Sequence, residues 1–254
     1  TNEIVKNMKF KRFITLLIIL SPILSKELLP IEIIEKSTNR LNYQDISFTC
    51  NIKLQSLSKD PSKLSFKFYS YWPDSSNYYG YLKFKSPIDY KDTEIWSHYS
   101  NEVKIKKRMP INNKIMDVED SFEGIDIINF LNFKDLYKEI QNDELLVNEI
   151  KFKDKDVYLV QSYKKRNKKK SIKFYIDKNT FFIYKIEWNN KRGAVSKILT
   201  FNDQKIINNQ NFPSIIIYED IKKGLKTTCK LNKISFDSIS KETLDLIKLG
   251  FNNE

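Results

Sequence analysis

Strict alternation of apolar and polar residues, renewed strand after strand, limits more than any other feature how this chain can fold. Ile46, Phe48, Cys50, Ile52 and Leu54 interleave with Ser47, Thr49, Asn51 and Lys53. Successive side chains of an extended chain point to opposite faces, so this segment has one greasy face and one wet one. Leu64, Phe66, Phe68, Ser70 and Trp72 repeat the pattern, and Pro73, Asp74, Ser75, Ser76 and Asn77 close it with turn formers. Gly80, Leu82 and Phe84 make the next apolar face, opposite Tyr81, Lys83 and Lys85. The signal returns between residues 93 and 107 and again from 149 to 236, giving about ten or eleven strands in all. A stock of 17 Phe and 14 Tyr suits such strands. Sequential strands with short turns imply an antiparallel meander. A sheet that long curls, so the expected fold class is mainly β (α+β), an unclosed half-barrel with helices on its concave face.

Three segments break the alternation. Residues 28–42 carry Ile31, Ile34 and Leu41 behind an early Pro30 and read as a short amphipathic helix. Residues 124–142 place Ile127, Ile128, Phe130, Leu131, Phe133, Leu136, Tyr137 and Ile140 at helical spacing, as one helix or two. Residues 244–249 form a short C-terminal helix. No repeat of fixed period and no linker divides the chain, so a single domain over residues 26–254 is expected; a monomer is expected as well.

The N-terminal stretch sets the expected compartment. Met8-Lys9-Phe10-Lys11-Arg12 is a basic region and residues 13–20 (FITLLIIL) an apolar one, followed by Ser21-Pro22-Ile23-Leu24-Ser25. This is the layout of a secretory signal peptide over residues 1–25, starting at Met8 and cleaved near Ser25. The 12 residues from Phe13 to Leu24 fall short of the roughly 17 to 25 that a spanning helix needs. The mature chain is then expected in the periplasm as a soluble protein.

Most chemistries lack their groups. His98 is the single histidine, flanked by Trp96 and Tyr99 with no carboxylate at an evident spacing, so a structural role fits it better than that of a general base. One His and two distant Cys are too few soft ligands for zinc. Asp117, Glu119, Asp120 and Glu123 are better explained as an acidic helix lead-in than as an acid/base pair. Five scattered glycines make no phosphate loop. No catalytic residue, metal or cofactor is expected. Cys50 and Cys229 fall on the same inferred face; in an oxidising envelope they pair, or else they stay as two buried thiols, the reading preferred from sequence. The run Lys164, Lys165, Arg166, Lys168, Lys169, Lys170 reads as a solvated hairpin turn or as a contact with an anionic membrane or acidic partner. Net charge +12 agrees with either and by itself selects no partner. Nucleic acid is not among the expected partners. What remains is apolar surface. If the helix within 124–142 covers it permanently, the protein has a core; if that helix is hinged, the same surface is a lipid pocket.

Several stretches resemble the outer-membrane lipoprotein-sorting proteins, the LolA-like periplasmic lipoprotein carriers. "YQDISFTCNIKLQS" (43–56) is similar to that family's first strand after its N-terminal helix, and "YLKFKSPIDYKDTEIW" (81–96) to a strand ending in a Ser-Pro turn. "KKRMPINNKI" (106–115) with "SFEGIDIINFLNFKDLY" (121–137), and "IKFYIDKNTFFIYKIEWNNKRGAVSKILTFND" (172–203), resemble segments of its larger members. Met109, Ile125 and Ile127 depart from the family's usual residues. The resemblance implies a curved, unclosed barrel with helices as a lid over a hydrophobic cavity. It further implies a carrier that takes acylated lipoproteins or lipid from an inner-membrane release complex to an outer-membrane acceptor. The inward set on which such a cavity would rest is Phe48, Ile52, Phe66, Phe68, Leu82, Phe84, Ile105, Phe174, Ile186 and Trp188, with Ile127, Phe130, Leu131 and Phe133 on the lid. Alternatives are an envelope lipid-binding protein of the same fold, or an interaction module with a dry core.

Overall fold

The computed structural model describes residues 28–39, 45–57, 60–74, 77–100, 103–118 and 133–251. The signal-peptide reading, and the lid residues Ile127, Phe130 and Leu131, lie outside them.

Alternation becomes one continuous antiparallel sheet built from two meanders. The first runs from the middle of the sheet to one edge: β1 (Ile46–Ser56), β2 (Ser62–Tyr71), β3 (Tyr78–Ser86), β4 (Glu94–Tyr99), β5 (Val103–Arg108) and β6 (Ile115–Asp117). The second starts at the opposite edge and returns: β7 (Glu144–Phe152), β8 (Lys155–Lys164), β9 (Asn167–Asp177), β10 (Ile183–Asn189), β11 (Val195–Ile207), β12 (Gln210–Asp220) and β13 (Leu225–Ser235). Pairing of β1 with β13 joins the two, and β6 and β7 remain as edges, so the barrel is not closed. Among the described residues the sheet has 13 strands, more than the alternation counted. The three-residue β6 is too short to show a period, and the alternation marks only the end of β7, from residue 149. Two-residue turns at Lys153-Asp154 and Asn208-Asn209 both use positive φ, the twist that tight hairpins require.

Three helices accompany the sheet among the described residues. In α1 (Pro30–Thr38), Pro30 pre-sets the first turn and Glu32 caps the backbone N–H of Leu29 at 2.8 Å, while Ile33 and Ile34 are fully buried. The second, α2 (Phe133–Ile140), falls within the expected 124–142 helix, whose residues 124–132 lie outside the described ones. It packs on α1, which also touches β7 and β8. The third, α3 (Lys241–Leu249), is capped by Ser240 and lies against β2 and β3. It departs from the expectation of helices on the concave side alone: its buried Ile247 joins Tyr81 and Trp96, which point to the convex face.

Cys50 and Cys229 are bonded, with Cα atoms 6.2 Å apart. This corrects the preference for two free thiols. Cys50 sits opposite Leu231 and Cys229 opposite Ile52, so the sulfurs are diagonal neighbours on one face at the seam between the meanders. Register between two strands nearly 180 residues apart is what the sequence could not supply.

Candidate functional site

The period-2 residues converge as their spacing required. Phe48 faces Phe68, and Phe68 faces Leu82; Phe66 faces Phe84; Phe174 faces Ile186. The rings of Phe48 and Phe68 are 4.9 Å apart and those of Phe66 and Phe84 5.9 Å, so adjacent strands share ring contacts across the concave face. Of the ten residues expected to face inward, Phe48, Ile52, Phe66, Phe68, Leu82, Phe84, Phe174 and Ile186 are buried, and Ile105 and Trp188 are half-buried against the same cluster. In this state they form a packed floor rather than open walls, because Ile33 and Ile34 of α1 and Ile140 of α2 belong to that cluster. Phe133 opens α2.

Beside α2 lies a cavity of about 410 Å³ whose apolar lining is Leu136, Ile172, Trp188 and Leu199. Its rim is polar, with Lys164, Lys170 and Lys197 set among Glu139, Asp143 and serine and asparagine side chains. Asn189 donates from Nδ2 to Ser171 Oγ at 3.0 Å, while its Oδ1 is buried with no hydrogen-bond partner, an acceptor facing the polar end. Trp188 is the one member of the expected set that reaches this cavity. Leu136 lay in the 124–142 helical stripe and Ile172 and Leu199 in alternating strands, so their patterns were legible. Their meeting was not, because it depends on where α2 docks.

Polar contacts hold α2 down. Tyr137 donates its hydroxyl to Glu35 of α1 at 2.6 Å, which raises the Tyr137 pKa above that of a free tyrosine. Lys164 donates to the Glu139 carbonyl at 2.7 Å and pairs with Asp143 at 3.1 Å. Ser162 also donates to Asp143. Tyr137, Glu35 and Lys164 are partly exposed to water, whereas Ser162 and the Asp143 carboxylate are buried. Net values of about 1 kcal/mol apiece are to be expected.

A second concavity of about 420 Å³ lies on the convex face between Lys67, Tyr69, Tyr81, Lys83 and Leu246. Its central group is already committed: buried Glu94 accepts from Tyr81 at 2.6 Å and from Arg108, and Arg108 lies over Trp96. His98 stacks on Tyr79 at 4.2 Å, a packing role. Among the described residues no group of His, Cys, Asp and Glu is arranged to hold a metal, and no helix is long and apolar enough to cross a membrane.

The open, curved-sheet geometry has counterparts in solved structures. One is a DUF1329 family protein from Desulfovibrio piger, similar at TM-score 0.69 and 16% identity over 84% of this chain and 94% of that one. A second is an outer membrane lipoprotein-sorting protein domain from Vibrio parahaemolyticus, at TM-score 0.66 and 16% identity over 87% and 97%. A third is a LolA superfamily protein from Nitrosomonas europaea, at TM-score 0.59 and 13% identity over 85% and 97%. At these identities the likeness is one of fold, and it bears out the half-barrel that the sequence segments resembled. A family model described as "Uncharacterized protein" matches residues 73–246. No curated protein matches the chain.

Proposed function

The chain belongs to the family of uncharacterized proteins whose model spans residues 73–246, and from its lipoprotein-sorting fold we propose that it is a periplasmic carrier which holds acyl chains under α1 and α2. The observation that carries this reading is the cavity beside α2, apolar on its floor and polar at its rim, continuous with the apolar concave face. Its volume lies near the low end of the roughly 300 to 1,000 Å³ of ligand sites, so it admits part of one chain at rest. Movement of α1 and α2 would expose the Phe-lined floor to the remainder. Each acyl methylene taken from water contributes about 0.8 kcal/mol, so a few methylenes outweigh the polar bonds that hold α2.

In this reading Phe48, Ile52, Phe66, Phe68, Leu82, Phe84, Ile105, Phe174, Ile186 and Trp188 meet the chains. Phe133 and the segment with Ile127, Phe130 and Leu131 move with the lid. The cargo is an acylated lipoprotein, collected from an inner-membrane release complex and passed to an outer-membrane acceptor. No step is catalytic, and no cofactor takes part. The disulfide fits an exported protein, since such bonds persist in oxidising compartments.

Native mass spectrometry of the protein from cells, followed by organic extraction, tests the reading. Bound acylated peptide is expected, and after delipidation a triacylated lipopeptide should be taken up again. Trp188→Glu should weaken that uptake by about tenfold or more, because a charge then enters the apolar floor. A clean apo mass with no uptake would contradict the reading, and bound phospholipid without lipopeptide uptake would make the protein a lipid binder of the same fold.

A further inference from the structure

An antiparallel sheet places its turns on two rims. The chain turns on one rim after β1, β3, β5, β8, β10 and β12, and on the other after β2, β4, β7, β9 and β11. The two rims differ in what they show to solvent. On the first, Leu57 is 92% exposed, Ile88 78%, Ile111 93% and Ile221 52%, and Val195 is exposed as well. On the second, Ile206 is the exposed large apolar residue among the described strand ends and turns. Single exposed apolar residues need no explanation, but five on successive turns of one rim do.

The same rim is basic. Lys165 and Arg166 of the β8–β9 turn and Lys191 and Arg192 of the β10–β11 turn are exposed side by side, since Asn167 donates to the Lys191 carbonyl at 3.3 Å. Lys222 and Lys223 flank Ile221, and Leu57 packs against Gly224 of that turn. Acidic groups there are fewer: Asp60, Asp89 and Glu139, buried Asp220, Glu219 paired with Lys226, Asp92 paired with Lys83, and Asp143 and Glu144 paired with Lys164 and Lys168. The cavity beside α2 lies at this rim, with Lys164, Asn190 and Lys197 in its lining.

We propose that this rim docks on an anionic phospholipid surface, with Leu57, Ile88, Ile111, Val195 and Ile221 entering the interface and the Lys and Arg side chains meeting the headgroups. Apolar tips spaced among flexible cations suit a fluid surface of diffuse negative charge, whereas a protein partner calls for a contiguous buried centre. Docking in this orientation would bring the cavity close to the bilayer. That use rests on the carrier reading; the surface itself does not.

Co-sedimentation with phosphatidylcholine vesicles, with and without phosphatidylglycerol, tests the proposal on the full chain. Binding should need the anionic lipid and weaken with salt. Lys165→Gln/Arg166→Gln/Lys191→Gln should weaken it about a hundredfold, at about fivefold for each charge removed. Leu57→Ser/Ile111→Ser/Ile221→Ser should weaken it at least about tenfold, with the residual binding more salt-sensitive. Ile206→Ser on the opposite rim should change nothing. Equal loss in Ile206→Ser, unchanged binding in either triple variant, or binding to an acidic polypeptide but to no vesicle would overturn the proposal. Uptake of a soluble fluorescent fatty acid by the same samples keeps the two readings apart. Uptake without vesicle binding overturns the rim alone, and vesicle binding with the stated dependence but no uptake supports the rim and overturns the carrier.

Discussion

Both faces of the half-barrel carry a helical cover, and the two covers are fastened differently. On the convex side α3 is locked to the sheet. Trp96, fully buried, donates its indole N–H to the Leu246 carbonyl at 2.8 Å, and a Cβ on Gly250 would come within 2.5 Å of Trp96. Ile247 is fully buried, and Phe251 meets Tyr79 and His98. On the concave side α1 contributes Ile33 and Ile34 and the eight-residue α2 a fully buried Ile140, and polar bonds of Tyr137, Lys164 and Asp143 supplement them. A cover built from an aromatic indole and a close backbone approach is part of the fold. In the carrier reading, the cover fastened partly by polar bonds next to a cavity is the one that moves.

Breaking the convex cover should cost most. Trp96→Ala removes a fully buried indole, its hydrogen bond and the seat of Gly250, and about 3 to 5 kcal/mol of stability should be lost in denaturant titration. Replacing Cys50 and Cys229 by Ser frees the seam between the meanders and should cost about 2 to 4 kcal/mol in the same measurement, since the bond closes a loop of nearly the whole sheet. Tyr137→Phe removes one bond from the concave cover. It should cost about 1 kcal/mol, read as about fivefold faster amide exchange in α2 with α3 unchanged.

The smallest effect lies at the β9–β10 turn. Burial pushes the Asp177 carboxyl up, but donors from Thr180, Asn179 and Tyr184 outweigh it and hold its pKa below the usual carboxylate value. A depressed carboxylate contributes stability that is complete above its unfolded pKa of about 3.9 and is lost as pH falls through the folded value. Asp177→Asn should therefore flatten the fall of stability below about pH 4 and leave acyl uptake unchanged.

Much of this was readable from residue order. Alternation at Phe48, Ile52, Phe66, Phe68, Leu82 and Phe84 fixed which side chains share a face, because strand period is local. The antiparallel meander followed from the short turns between strands. What escaped has a non-local cause. The disulfide needs the β1–β13 register, the place of α3 needs the outward Tyr81–Trp96 pair to find Ile247, and the cavity needs α2 to dock beside Trp188 and Leu199. The strand patterns showed an apolar face without showing how firmly it was covered.

That firmness is open to direct measurement by amide hydrogen exchange on the delipidated protein, with and without a triacylated lipopeptide. Faster exchange in α1 and α2 than in α3 before addition, and a change confined to α1, α2 and the strands around Trp188 after it, is the predicted result. Equal protection of all three helices, unaltered by the lipopeptide, would contradict the account and make the concave face a sealed core.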